Sequence, residues 1–169
     1  HNAFACGVLK AMQRKLTTSR SAASSVAIGD LALASAGTQA TLASSSYHRH
    51  PPEAAIDGSK HTYWLTTGCF PQTLCLSFAT RVQVHKVRMV MRGVREFVIE
   101  RSEEAAPFGG FVPVMSLSHL PEREGRLQVE THDVNRAAAR HLRLVILDSW
   151  EPFVSVHSLS VHGTVAREE

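Results

Sequence analysis

The chain has 169 residues, 44% of them apolar, and carries 18 Lys and Arg against 15 Asp and Glu. One domain is expected at this length, large enough to bury roughly 70% of the surface its unfolded form exposes. No apolar run approaches the ~18 residues that span a bilayer. Lys10, Arg14, Lys15 and Arg20 all precede the first acid, Asp30. Removing these four leaves fourteen basic residues against all fifteen acids, interleaved, so the body is close to neutral and a nucleic-acid-binding reading loses its support. Cys6, Cys69 and Cys75 form no CxxC pair, so neither a disulfide framework nor a zinc knuckle is indicated, and a reducing, intracellular compartment is expected.

Residues 1–29 are basic, acid-free and rich in Ala, Ser and Thr. That composition is also what a mitochondrial transit peptide has, but because the chain begins with His rather than Met, an expression remnant or a mis-assigned start, with Met12 as the initiator, is the preferred expectation. The domain is expected over 30–165, followed by a short tail, 166–169. Strands are expected at 31–35 and 41–44, flanking a turn at Gly37. The stretch 50–71, HPPEAAIDGSKHTYWLTTGCFP, organises the rest of the chain. Pro51 and Pro52 stop any helix from upstream, Asp57-Gly58 turns the chain, and Thr62 to Thr67 reads as a strand.

Thr73 to Phe78 places Leu74, Leu76 and Phe78 on one face. Val84 to Met91 sets Val87, Met89 and Met91 opposite Lys86 and Arg88, and Gly93 ends it. Val94 to Ser102 alternates again, with Phe97 and Ile99 inward. Phe111 to Met115 is an edge strand by its Pro113. Arg126 to Thr131 and Leu142 to Ile146 are two further strands. In the last strand Val154 and Val156 are out of phase with Leu159 and Val161, which a β-bulge near His157-Ser158 explains. Nine or ten short strands with no helical period predict an all-β sandwich of two mutually covering sheets, a jelly roll.

Asp57 supplies two carboxylate oxygens and Thr62 a hydroxyl five residues on. The loop therefore suits a hard cation such as Ca2+ or a turn in which Asp57 caps backbone N–H groups, and both readings stand. His48 and His50 are two imidazoles without a third ligand at a recognisable spacing, and surface histidines are expected. There is no G-x-S-x-G elbow, no phosphate-binding glycine loop and no cysteine beside a plausible base, so catalysis and nucleotide binding have no sequence support. Trp64 and Trp150 are read as core anchors rather than sugar-stacking platforms.

The stretch HPPEAAIDGSKHTYWLTTGCFPQ and the C-terminal FVSVHSLSVHGTV together closely resemble the intraflagellar transport protein 25 family, also called heat shock protein beta-11, over about Asp30 to Val165. The resemblance implies a galactose-binding-like jelly roll with no enzymatic activity. It also implies a subunit of the intraflagellar transport B complex that pairs with intraflagellar transport protein 27, a Rab-like small GTPase, in cilia or flagella and the adjoining cytoplasm near the basal body. It implies a calcium site in the loop of Asp57 and Thr62. An Asn common in the family three residues before the Asp is Ala54 here, leaving its backbone carbonyl, and an acidic ligand expected near Ser158 is absent. Calcium would be structural and weakly held, toward the millimolar end. The partner surface is expected on the strand of Arg88 and Arg92. The alternatives are a carbohydrate-binding, lectin-like module and a small chaperone. Discoidin-type lectin domains usually close with a cysteine pair, and no cysteine follows Cys75.

Overall fold

The computed structural model describes residues 27–166. Residues 1–26, and with them most of the basic extension, lie outside the described residues, as do 167–169 of the tail. Eight strands are described: β1 Ala27–Ile28, β2 Gln39–Ala43, β3 Trp64–Leu65, β4 Gln72–Arg92, β5 Val94–Ser102, β6 Val112–Leu117, β7 Gln128–Ser149 and β8 Ser155–Val165. Helical structure among them is limited to two single 3-10 turns, Ala34–Ala36 and Pro52–Ala55. All pairings are antiparallel.

The sandwich is built by two very long strands that serve both sheets. The first part of β4, Gln72 to Ser77, and the second part of β7, His141 to Ser149, lie in one sheet with β2, β5 and β6. The remainder of β4, Val82 to Arg92, pairs with Gln128 to Ala139 of β7 and with β8, which also carries β1 and β3. Register slips between Ser77 and Val82 and between Val84 and Lys86 mark where the ladder turns from one sheet to the other. Bulges raise local twist and bend a strand, which lets one continuous strand face the core twice.

The expected strand count is thereby corrected at two places. The runs around 73–78 and 84–91 are one strand, and so are those around 126–131 and 142–146. Thr80 and Arg81, and Asn135 and Arg136, lie within these strands where the register shifts. Leu31 to Ser35 is no strand: it forms turns and a 3-10 start, with Asp30 Oδ1 accepting from the Ala32 N–H at 2.9 Å and from the Val161 N–H at 2.9 Å. The Thr62–Thr67 strand shrinks to Trp64–Leu65.

The two sheets close on one apolar cluster. Leu74 and Leu76, Phe97 and Ile99, Leu142, Leu144 and Ile146 come from the first sheet. Val87, Met89 and Met91 with Val156, Leu159 and Val161 come from the second. All are fully buried, as the alternation predicts, and full burial of such a side chain stabilises by about 1.5–3 kcal/mol relative to leaving it exposed. The bulge in β8 is present: Val90 pairs with Ser158 and Met91 with Val156, leaving His157 unopposed. β6, with Pro113, is the terminal strand of its sheet.

Two buried amides replace missing ladder bonds. The Gln128 side chain accepts from Val94 N–H at 2.9 Å and donates to Val94 C=O at 2.7 Å, tying the start of β7 to β5. Gln72 donates to the carbonyls of Thr67, Gly68 and Cys69 at 2.9, 2.5 and 2.6 Å and accepts from Ser44 and Ser45. It thereby fixes the far end of the organising stretch.

β4 and β8 approach closely at Gly163, where an added Cβ would sit 1.9 Å from the Gln83 carbonyl oxygen. Backbone cannot yield there as a side chain would. Gly163→Ala is therefore expected to cost about 2–3 kcal/mol and to lower the thermal midpoint by roughly 5–10 °C. A melt of this variant within a degree of the parent would refute the close-approach argument.

Candidate functional site

The loop between residues 50 and 63 is built from short-range contacts. Pro52 enters the 3-10 turn with Ala54 and Ala55 buried beneath it, and Ile56 anchors the loop in the core. Asp57 then turns the chain: its Oδ1 accepts from the Ser59 N–H at 2.8 Å and its Oδ2 from the Thr62 hydroxyl at 2.6 Å. The sequence-predicted pair Asp57 and Thr62 is thus brought together, with both carboxylate oxygens already holding protein donors. Ala54 N–H donates to the Pro51 carbonyl at 3.1 Å, and its side chain is buried. Among the described residues no three His, Cys, Asp or Glu side chains converge as metal ligands.

His48 and His50 do not converge on a metal either. The His50 ring stacks on Tyr63 at 4.1 Å and 11°, with its Nε2 3.2 Å from the Tyr63 hydroxyl, and Tyr63 in turn lies 4.9 Å from His157. His48 is exposed and packs edge-on against Tyr47. Trp64 is fully buried, its indole N–H donating to the Ser45 carbonyl at 3.1 Å. Trp150 departs from expectation: it is 42% exposed, its N–H donates to the Leu120 carbonyl at 2.9 Å, and Arg95 lies over its ring at 4.9 Å. It follows the end of β7, where the strand leaves the core, so its apolar neighbours do not enclose it.

The feature the sequence hides is a cleft on the outer face of the second sheet. Its floor is the outward phase of β4, Arg88 and Val90, beside Ser158 and Ser160 of β8. One wall is Gly58, Ser59 and Lys60 of the organising loop, and the other is Leu127 and Val129. This hollow has a volume of about 500 Å³. A second, of about 380 Å³, lies between Tyr63 and Leu65, Arg92 and Phe153, and shares Leu127 and His157 with the first. Leu127, Val129 and Phe153 are 47%, 53% and 53% exposed, an apolar rim around a cationic floor.

Arg88 lines the larger hollow and Arg92 the smaller, and they differ. Arg92 pairs with Glu151 at 3.4 Å. Arg88 is half-buried and has no ion-pair or hydrogen-bond partner among the described residues. The bulge turns His157 outward between the hollows, its Nε2 3.0 Å from Ser155 Oγ. Burial, and secondly the Arg92 charge, push the His157 imidazole below its ordinary range. Elsewhere, burial pushes the Cys75 thiol up, so it is no ready nucleophile. Ser77 and His141 meet at 2.8 Å through Nδ1, but His141 is buried and its Nε2 is held by the Glu104 carbonyl at 3.1 Å. With no carboxylate to orient it as a base, the pair acts as a clamp on the loop after β5.

Because the folded state disfavours protonated His157, the unfolded chain binds more protons at this site. Stability is expected to rise with pH through the window below about 6.5, the ordinary imidazole value, and to level off above it. His157→Asn should flatten that slope when urea unfolding is followed from pH 5 to 8. An unchanged slope would show that other groups produce it.

No family model matches the chain. Intraflagellar transport protein 25 homolog of Homo sapiens is 37% identical over 138 residues, covering 80% of this chain and 93% of that protein. Intraflagellar transport protein 25 of Chlamydomonas reinhardtii is 35% identical over 127 residues, covering 75% and 66% respectively. Among solved structures, a chitosan-binding module from a Paenibacillus chitosanase/glucanase superposes with TM-score 0.69 at 20% identity, over 80% of this chain and 100% of that one. A family 32 carbohydrate-binding module of Clostridium perfringens, solved with galactose, gives TM-score 0.66 at 18% identity, over 79% and 98%. The structural likenesses establish the jelly-roll fold, and with the sequence identity along nearly the whole human protein, the chain belongs to the intraflagellar transport protein 25 family.

Proposed function

We propose that this chain is a non-catalytic subunit of the intraflagellar transport B complex, that it heterodimerises with a Rab-like small GTPase, and that it serves cargo transport in the cilium or flagellum and near the basal body. The observation that carries the reading is the 37% identity running along 93% of the human relative. The site chemistry supports it: the cleft offers an apolar rim and a cationic floor, a surface suited to a protein. Arg88 and Arg92 belong to the docking face, and a stable heterodimer of this kind buries more than about 1,600 Å².

The second reading is a carbohydrate-binding module, favoured by the superposition on sugar-binding domains. At 18–20% identity those likenesses carry the scaffold and not the ligand. Trp150, the more exposed tryptophan, has its ring engaged by Arg95, which leaves one face at most for a sugar.

Calcium is proposed as a weak structural ligand of the Asp57 loop, held by Asp57, Thr62 and the Ala54 carbonyl. Asp57 is the only carboxylate in that set, whereas Ca2+ takes 6–8 oxygens, so a dissociation constant of about a millimolar is expected. About 10 mM calcium should then stabilise the domain by roughly 1.4 kcal/mol, a rise of about 3–5 °C in the thermal midpoint. Asp57→Ala should abolish the rise, and a parent protein indifferent to calcium would remove the site.

The functional reading is tested by a tagged pull-down from flagellated cells at about 0.3 M salt, where weak surface-charge contacts are screened. Recovery of a Rab-like GTPase with other transport-complex subunits is expected. Recovery of glycoproteins instead, with binding on a glycan array, would overturn it.

A further inference from the structure

Arg88 is the arginine of the larger hollow that meets no anion among the described residues. Arg81, Arg92, Arg95, Arg101 and Arg143 each meet a carboxylate. Arg49, Arg123, Arg126 and Arg136 meet none among the described residues, but they are exposed and solvated. Arg88 alone of the described arginines is partly buried with no carboxylate or hydrogen-bond partner among the described residues, and its guanidinium still reaches solvent, so it is free to receive an anion entering the cleft. The acids near it are engaged: Asp30 Oδ1 accepts two backbone N–H groups, and Glu151 faces Arg92. Lys60, on the wall of the same hollow, has no carboxylate partner among the described residues and adds positive charge. Burial and the Arg92 charge disfavour a protonated His157 between the hollows.

We infer that the cleft takes one segment of the partner protein, which seats an acidic side chain on Arg88 in the larger hollow and an apolar side chain against Leu65, Leu127 and Phe153 in the smaller. The inference rests on the proposed role as the partner of a GTPase and names the chemistry of the surface that docks. Arg88 and Arg92 floor the two hollows four residues apart on one strand, so the two partner side chains stand about 13 Å apart. Charge complementarity selects the acid, because the unsatisfied group in the larger hollow is a guanidinium, which binds carboxylate with two parallel N–H donors. The opposite outer face gives the contrast: there Arg143 meets Glu100 at 2.5 Å and Arg95 meets Asp148 at 3.0 Å, so its charges are mutually satisfied.

The test uses the whole chain, purified with the Rab-like GTPase of its own cells, with affinity measured by calorimetry at two salt concentrations. Arg88→Glu is expected to weaken binding by tenfold or more, and Phe153→Asp likewise. Arg92→Glu should weaken it less, because Arg92 is already paired. Arg136→Glu, exposed on another part of β7, should leave binding unchanged. Arg88→Gln should bind with a shallower salt dependence than the parent, and a single Asp or Glu to Arg change on the GTPase should restore binding to Arg88→Glu. Each variant is checked by its thermal transition. An Arg88→Glu protein that is folded and binds the GTPase as tightly as the parent would overturn the cleft assignment and leave the functional reading standing. A parent protein that binds no GTPase at all would overturn the functional reading itself.

Discussion

The hydrogen-bonded ladder between β4 and β7 is the constraint on which the rest of the molecule depends. It runs from Gln72–Ile146 at one end to Met91–Gln128 at the other, and it turns between the sheets without ending. Backbone N–H and C=O groups that enter a core must be paired, so a strand passing from one sheet to the other can bend only where a bulge lets register slip. The slips at Ser77/Val82 and Val84/Lys86 satisfy that demand, and they restore the inward phase so that Leu74 and Leu76 before the bend and Met89 and Met91 after it enter one core. Arg88 and Val90 face outward for the same reason, and the cleft floor is a by-product of how β4 bends.

Legibility followed the range of the interaction. The two-residue period of Val94 to Ser102, the edge position of Val112–Leu117 and the bulge at His157 were readable because each is a local alternation of side chains against a pleat. The continuity of β4 and β7 was not, because polar residues at a strand bend look the same as polar residues in a turn. Trp150 misled for a related reason: composition around a residue does not say whether the strand has already left the core. Asp57 and Thr62 meet because five residues closed by an Asx turn is a short-range geometry that one window of sequence contains. The cleft itself joins residues near 58, 88, 127 and 157, and no single window of sequence contains its signal.

A jelly roll shared with sugar-binding modules shows how little the scaffold commits the surface. What the fold provides is a rigid pair of sheets whose loops and outer faces vary freely. Here Asp57 closes the loop of Gly58, Ser59 and Lys60 by accepting from the Ser59 N–H and the Thr62 hydroxyl, so one wall of the cleft is set by local contacts. A surface prepared in this way loses little conformational entropy when a partner lands on it.

The two outer faces of the sandwich differ in how their charges are matched. On the first sheet the ion pairs are partly solvated, and each contributes only about 0.2–1 kcal/mol, too little to explain their number by stability. Their effect is to cancel charge: a guanidinium already matched by Glu100 or Asp148 has nothing left to offer a partner. The Arg101 hydrogen bond, reinforced by Arg81, holds the Glu103 carboxyl below its ordinary range and keeps that cluster ionised and mutually bound. On the second sheet Arg88 is left uncompensated beside exposed Leu127 and Val129. Apolar area supplies affinity without direction, and a half-buried unmatched charge supplies direction by penalising every partner that lacks the complementary one.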